Sequence, residues 1–126
     1  MLSCGHYSQK EIDEQVELLG GNDIFVEAWD GDSLVGFGCA DMSDVDVCWL
    51  TWVGVLEGYR GRGYAGGMVK LMEEVAKEQG AHKIWSCTHV KNGGSIGLFV
   101  KHNYTMCGHL KKHWYGYDVY LWDKVL

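Results

Sequence analysis

Proline is absent from the 126 residues. Turns must therefore be built by glycine, asparagine and aspartate, with no ring to fix φ. No run approaches 18 consecutive apolar residues, so no membrane-spanning helix is expected. The opening stretch, Met1 to His6, lacks a basic segment followed by an apolar one, and no signal peptide is expected. No pair of cysteines has Cys-x-x-Cys spacing. The five, Cys4, Cys39, Cys48, Cys87 and Cys107, are odd in number and lie mostly in apolar or mixed runs. They read as reduced, largely buried thiols of a cytoplasmic protein. The histidines are too scattered for a zinc site, and no metal is expected. Bases are nearly missing from one half: residues 1–59 hold twelve acids against the single base Lys10.

What is present fits one soluble domain over 1–126, with 47% hydrophobic and 22% charged residues. The net charge of −6 argues against nucleic acid as a partner. Residues 60–126 carry ten bases and five acids, so one half suits an anionic ligand and the other a cationic one. Glycine, at 18 residues, is about twice as frequent as usual.

Ile12, Val16 and Leu19 share a helical face, which predicts a helix over 9–19 with Ser8 and Glu11 as a capping box. Strands are expected at 24–29 and 34–41 around the Asp30-Gly31-Asp32 turn, then at 46–56. A helix over 64–79 should bury Ala65, Met68, Met72, Val75 and Ala76 and end at Gly80. A strand at 83–90 would lie parallel to 46–56. A short helix over 95–102 should end at a left-handed Asn103. Two last strands, 104–111 and 118–125, should be joined by the aromatic run His113 to Tyr117. The order is α-β-β-β-α-β-α-β-β in one mixed sheet.

The chemistry is expected at Gly58-Tyr59-Arg60-Gly61-Arg62-Gly63-Tyr64-Ala65, between an apolar strand and an amphipathic helix. Gly61 and Gly63 allow close backbone approach, the helix start offers unpaired N–H groups, and Arg60 and Arg62 add charge. Together they suit phosphate or pyrophosphate. No Gly-Lys-Ser/Thr follows, which excludes a Walker loop, and the mid-chain position after a meander disfavours a dinucleotide fingerprint.

Arg60-Gly61-Arg62-Gly63-Tyr64-Ala65 resembles the (Gln/Arg)-x-x-Gly-x-(Gly/Ala) signature of the GCN5-related N-acetyltransferase family. Val55 is similar to the valine that ends the preceding strand there. Asn92, Ser95-Ile96, Leu98-Phe99, Lys101 and Asn103-Tyr104 resemble the family's second motif without a gap, and Asp118 to Trp122 its final strand. The likeness runs over residues 8–126. It implies an α/β (α+β) acyl-CoA N-acyltransferase fold. A mixed central sheet would have a bulged, splayed strand (the fourth in the family's count) and flanking helices, with the N-terminal region shortened.

The resemblance also implies acetyl-CoA as cofactor and transfer of its acetyl group to an amine on a small molecule or a protein. The pantetheine arm would enter between the strand carrying Val53 and Val55 and the strand at 83–90. An N–H near Val55 would polarise the thioester carbonyl. Amides from Arg60 to Ala65 would hold the pyrophosphate, and Asn92, Ser95 and Phe99 would lie along the cofactor. Phe99 stands where much of the family has a tyrosine acid, and phenylalanine has no proton to give. Cys87 and Trp49 stand where subgroups have a catalytic glutamate. His89, whose residue type titrates near about 6.5, is the leading candidate base, with Tyr104, Tyr115 and Asp118 in reserve. Trp114, Tyr115 and Tyr117 suit substrate contacts or a homodimer surface. Three readings follow: an N-acetyltransferase; a non-catalytic acyl-CoA binding or sensing domain, which the missing phenol favours; or an interaction domain that retains only the fold.

Overall fold

A computed structural model describes residues 24–42 and 45–126. The helix and the shortened N-terminal region expected before residue 24, and part of the turn after Met42, lie outside the described residues. Six strands and two helices follow in the order β1 (Ile24–Asp30), β2 (Ser33–Met42), β3 (Val47–Val55), α1 (Tyr64–Glu78), β4 (Lys83–His89), α2 (Gly93–Lys101), β5 (Thr105–Trp114) and β6 (Tyr117–Val125). They form a mixed α/β fold with one sheet ordered β1-β2-β3-β4-β6-β5. Only β3 and β4 pair in parallel; the other neighbours are antiparallel. No described helix is long and apolar enough to cross a membrane.

The expected β1–β2 hairpin is present. Asp30 pairs with Ser33, and Gly31 takes φ 59° at the first loop position. Helix α1 buries Met68, Val69, Met72 and Ala76 against β1, β2 and β3; Val69 joins the expected face, while Ala65 and Val75 are only half-buried. The helix lies close because β2 offers no side chain at Gly38, where a Cβ would stand 2.7 Å from Met72 Cε. Its end is closed by two bonds, Ala81 N–H to Ala76 O and Gly80 N–H to Lys77 O, with Gly80 left-handed as expected.

Strand β3 changes phase halfway. Cys39 pairs with Trp52 and Ala40 with Leu50, so Thr51 is an extra residue, a β-bulge. The bulge lets Cys48 and Leu50 before it, and Val53 and Val55 after it, all join the core under α1. Trp52 instead joins Phe37 and Cys39 in a second cluster, its ring stacked on Phe37 at 5.6 Å.

The bulge coincides with a parting of strands. β3 and β4 pair at only three positions, Val47–Lys83, Cys48–Ile84 and Trp49–Trp85, and Trp49 stacks on Trp85 at 5.4 Å. Beyond them β4 stays paired with β6 through His89. The first main-chain acceptor past the last pair is not left bare: the fully buried Ser86 hydroxyl donates to Leu50 O at 2.8 Å. Thr51 Oγ1 donates to Cys39 O at 3.1 Å on the other side. The splayed strand that the resemblance implied is therefore present.

Two boundaries differ from expectation by more than one residue. Helix α2 begins at Gly93, not at 95, because Asn92 caps it by accepting the Ser95 N–H at 3.1 Å. The aromatic run 113–117 is not a loop. Trp114 pairs with Tyr117, and Tyr115 and Gly116 alone turn the chain at φ 51° and 77°. Asn103 is left-handed as expected, at φ 67°. Behind it Tyr104 donates to Glu73 Oε2 at 2.7 Å while Lys124 Nζ holds Oε1 at 2.9 Å, which ties α1 to β6.

Removing the Ser86 hydroxyl would leave a buried carbonyl without its donor at the point where the strands part. Ser86→Ala is expected to lower unfolding free energy by about 1–3 kcal/mol in urea titration. A loss below about 0.5 kcal/mol would show that the bond does not hold the parting.

Candidate functional site

Strands β3 and β4 diverge toward their C-terminal ends, and a cavity lies at each end. The larger, about 350 Å³, is floored by Val55 at the end of β3. Its walls are Tyr59, Arg60, Gly61 and Gly63 from the loop and Tyr64, Ala65 and Gly66 from the first turn of α1. Gly94, Gly97, Leu98 and Lys101 on α2, with its C-cap His102, close the other side. Two lysine or arginine side chains and no acidic one line it.

Gly63 is the N-cap of α1, left-handed at φ 88°, and no side chain caps the helix. The first intrahelical bond runs from Gly67 N–H to Gly63 O, so the N–H groups of Tyr64, Ala65 and Gly66 have no acceptor within the helix. Gly61 is also left-handed, at φ 74°. Arg60 Nε donates to Val55 O at 3.2 Å, which ties the loop to the end of β3. Arg62 lies over the Tyr59 ring at 5.2 Å and does not line the cavity. Open helix donors, a basic wall and wide glycine turns are chemistry that suits an anion.

The second cavity, about 220 Å³, is lined by His89, Val90 and Lys91 at the end of β4 and by Tyr117 and Asp118 at the start of β6. The His89 ring stands edge-on to Tyr117 at 5.3 Å and to Trp114 at 6.4 Å. Asp118 accepts the Lys112 N–H at 2.9 Å and meets His109 Nε2 at 2.9 Å. The Lys112 N–H, and then His109, hold its carboxyl below the usual carboxylate range. Three of the residues singled out from sequence, His89, Tyr117 and Asp118, thus line one cavity, with Trp114 beside them.

The other expected residues divide. Val55, Arg60, Gly61, Gly63, Tyr64 and Ala65 line the larger cavity. Val53 is buried in the core at 1% exposure, so only its backbone can face the gap between the strands. Asn92 and the fully buried Ser95 form the cap of α2 and line neither cavity. Phe99, at 1% exposure, packs on Tyr104 at 4.8 Å and on Trp122 at 6.2 Å, away from both cavities. Tyr104 also lines neither, and burial beside Glu73 pushes its hydroxyl far above the ordinary tyrosine value. Tyr115 is the exposed hairpin tip. Burial pushes the Cys87 thiol up to about 11, so it stays protonated at neutral pH.

The sequence analysis assigns no role to Gly66, Gly94, Gly97 or His102, and it holds Tyr59, Leu98 and Lys101 only as members of the loop and the second motif. A signal exists for Gly94 and Gly97. With Leu98 and Lys101 they have the spacing of one helical face, which a helix beginning at 95 does not include.

The sequence matches the model of the acetyltransferase (GNAT) family over residues 3–104. Comparison with curated protein sequences gives no match. Among solved structures, a GNAT family acetyltransferase from Elizabethkingia anophelis with acetyl-CoA bound superposes with a TM-score of 0.82 at 15% identity, covering 97% of this chain and 93% of that one. An aminoglycoside 6'-N-acetyltransferase complexed with coenzyme A gives 0.79 at 19% identity, over 94% and 81%. The ribosomal-protein-alanine N-acetyltransferase from Brucella melitensis gives 0.75 at 20% identity, over 95% and 80%. At these identities the likeness is one of fold.

The hairpin beside the second cavity has a pH signature. The folded value of Asp118 is depressed, so its contribution is present above the ordinary value of about 3.9 and is lost as pH falls through the lower folded value. The thermal-stability gap between wild type and Asp118→Asn is expected to hold from pH 7 to about pH 5 and to close below about pH 4. A gap that persists unchanged in stronger acid would contradict this account of Asp118.

Proposed function

The chain belongs to the acetyltransferase (GNAT) family, and on that ground we propose that it moves an acetyl group from acetyl-CoA to a primary amine by direct attack in a ternary complex. The observation that carries the reading is the uncapped, glycine-led start of α1. It opens on a basic cavity at the end of a strand that has parted from its parallel neighbour. These residues fit the cofactor's chemistry. N–H donors from Gly61 to Gly66, with Arg60 and Lys101, suit a pyrophosphate. The main chain of Val53 to Val55, on the side away from β2, suits an extended amide-bearing arm.

Bound acetyl-CoA supplies an activated acyl thioester with thiolate as its leaving group. The chain must supply orientation, an oxyanion donor and a neutral amine. An N–H near Val55 is the proposed donor to the thioester oxygen. His89 is the proposed acceptor of the ammonium proton, at the end of the opposite strand. Tyr117 and Trp114 give the amine an aromatic wall, and the anionic Asp118 attracts its positive charge. Neighbours of this fold are named for an aminoglycoside and for a ribosomal-protein alanine, and the acceptor proposed here is equally a small-molecule or a protein amine.

A second reading, an acyl-CoA binding or sensing domain without catalysis, is favoured by Phe99. A core phenylalanine stands at the position of the family's usual phenol, so no acid is available there. Release of free CoA thiol with a panel of amines separates the two. Amine-dependent release supports transfer; stable CoA binding without release supports the second reading.

Gly63→Val forces a β-branched residue into a left-handed cap and is expected to weaken CoA binding about five- to thirtyfold by calorimetry, from a cost of about 1–2 kcal/mol. Unchanged affinity would remove the loop from the cofactor site. His89→Ala is expected to lower kcat/KM about 100-fold at neutral pH, with a smaller effect where the amine is already deprotonated. An unaltered pH–rate profile would remove His89 from the role of base.

A further inference from the structure

The larger cavity contains one histidine that neither its sequence motifs nor the proposed reaction uses. His102 is the C-cap of α2, and its ring reaches across to α1. A Cβ added at Gly66 would stand 2.7 Å from His102 Nε2 and 3.1 Å from Cε1. The ring therefore fills the space that any side chain at position 66 would need. It lies against the helical turn whose N–H groups have no acceptor within the helix.

We propose that His102 is a phosphate-binding residue of this cavity that takes up a proton as CoA binds, so that CoA binds more tightly as pH falls. The proposal rests on the CoA reading above and goes beyond it by naming a charge switch inside the site.

The charged groups around the ring fix the direction. Burial is the largest influence and holds the His102 pKa below the ordinary histidine value. Glu73 on α1 opposes it, while Lys70 on α1, Lys124 on β6 and Lys101 on α2 push the same way as burial. Arg60 lines the same cavity from the loop. Glu73 is already held by the Tyr104 hydroxyl and by Lys124, so its charge is shared. In the free protein the ring is therefore neutral at pH 7. A phosphate brought into this basic, partly desolvated cavity reverses the balance, because the protonated ring then faces an anion. Proton uptake and binding are linked: a rise of about one pKa unit on binding corresponds to about tenfold in affinity.

The test is calorimetric titration of the full chain with CoA from pH 8 to pH 6 at fixed ionic strength. Wild type should tighten about three- to fivefold over this window, and His102→Gln, which can donate but not charge, should show a flat profile. CoA's 3′-phosphate itself titrates near about pH 6, so dephospho-CoA is run in parallel. A slope that survives with dephospho-CoA and is lost in His102→Gln places the ring on the pyrophosphate. A His102-dependent slope seen only with CoA places it on the 3′-phosphate. Gly66→Ala, which puts a methyl group where the ring lies and favours the helix, should also flatten the profile if His102→Gln proves poorly folded. Wild-type affinity independent of pH, or an undiminished slope in both variants, would overturn the proposal. Absence of CoA binding at every pH would instead sink the cofactor reading and this inference with it.

Discussion

Both cavities of this chain depend on two parallel strands being paired for three residues and then released. Trp49 and Trp85 close the paired part with stacked rings. Past them a lone main-chain edge would be costly, since an unpaired buried carbonyl loses its hydrogen bond to water. The chain meets that cost with side-chain hydroxyls. Ser86 reaches from β4 to the Leu50 carbonyl, and Thr51, the bulged residue, turns its own hydroxyl to β2. The same bulge shifts the inward phase of β3 by one residue, so that Val53 and Val55 stay in the core. One irregular residue thus reconciles a continuous core with an opened sheet.

The parting strands carry different chemistry at their ends. The end of β3 leads into glycine turns and the uncapped helix α1, with Arg60 bound back to the strand it follows. The end of β4 brings His89 to the aromatic turn of the β5–β6 hairpin. The proposed anionic cofactor and cationic acceptor need just such a pair, a basic cavity on one side and a histidine–aromatic–carboxylate cavity on the other. The lopsided charge of the sequence is only part of this pattern. Asp118, the acid of the second cavity, comes from the basic half of the chain.

The loop was legible in sequence because its residues act through backbone conformation. Gly61 and Gly63 had to be where the chain turns left-handed, and they are. The Asp30–Asp32 turn and the Asn103 helix end were legible for the same reason. The β5–β6 turn was not, because its first left-handed position is Tyr115, a residue whose side chain disfavours that region. The start of α2 lies two residues before the expected one because the Asn92 side chain caps a helix that begins with two glycines, which carry no apolar periodicity to mark it. The burial of Phe99 and the engagement of Tyr104 with Glu73 depend on packing between α1, α2 and β6. No local pattern encodes that packing.

The central claim is that one ligand spans the gap, with its phosphates at the start of α1 and its arm along the edge of β3. Residue-resolved amide NMR during CoA titration tests it most directly. The account predicts that the amides of Gly61, Gly63, Ala65 and Gly66 shift together with those of Val53 to Val55, at one common affinity. Shifts confined to the loop, or none in either segment, would contradict it.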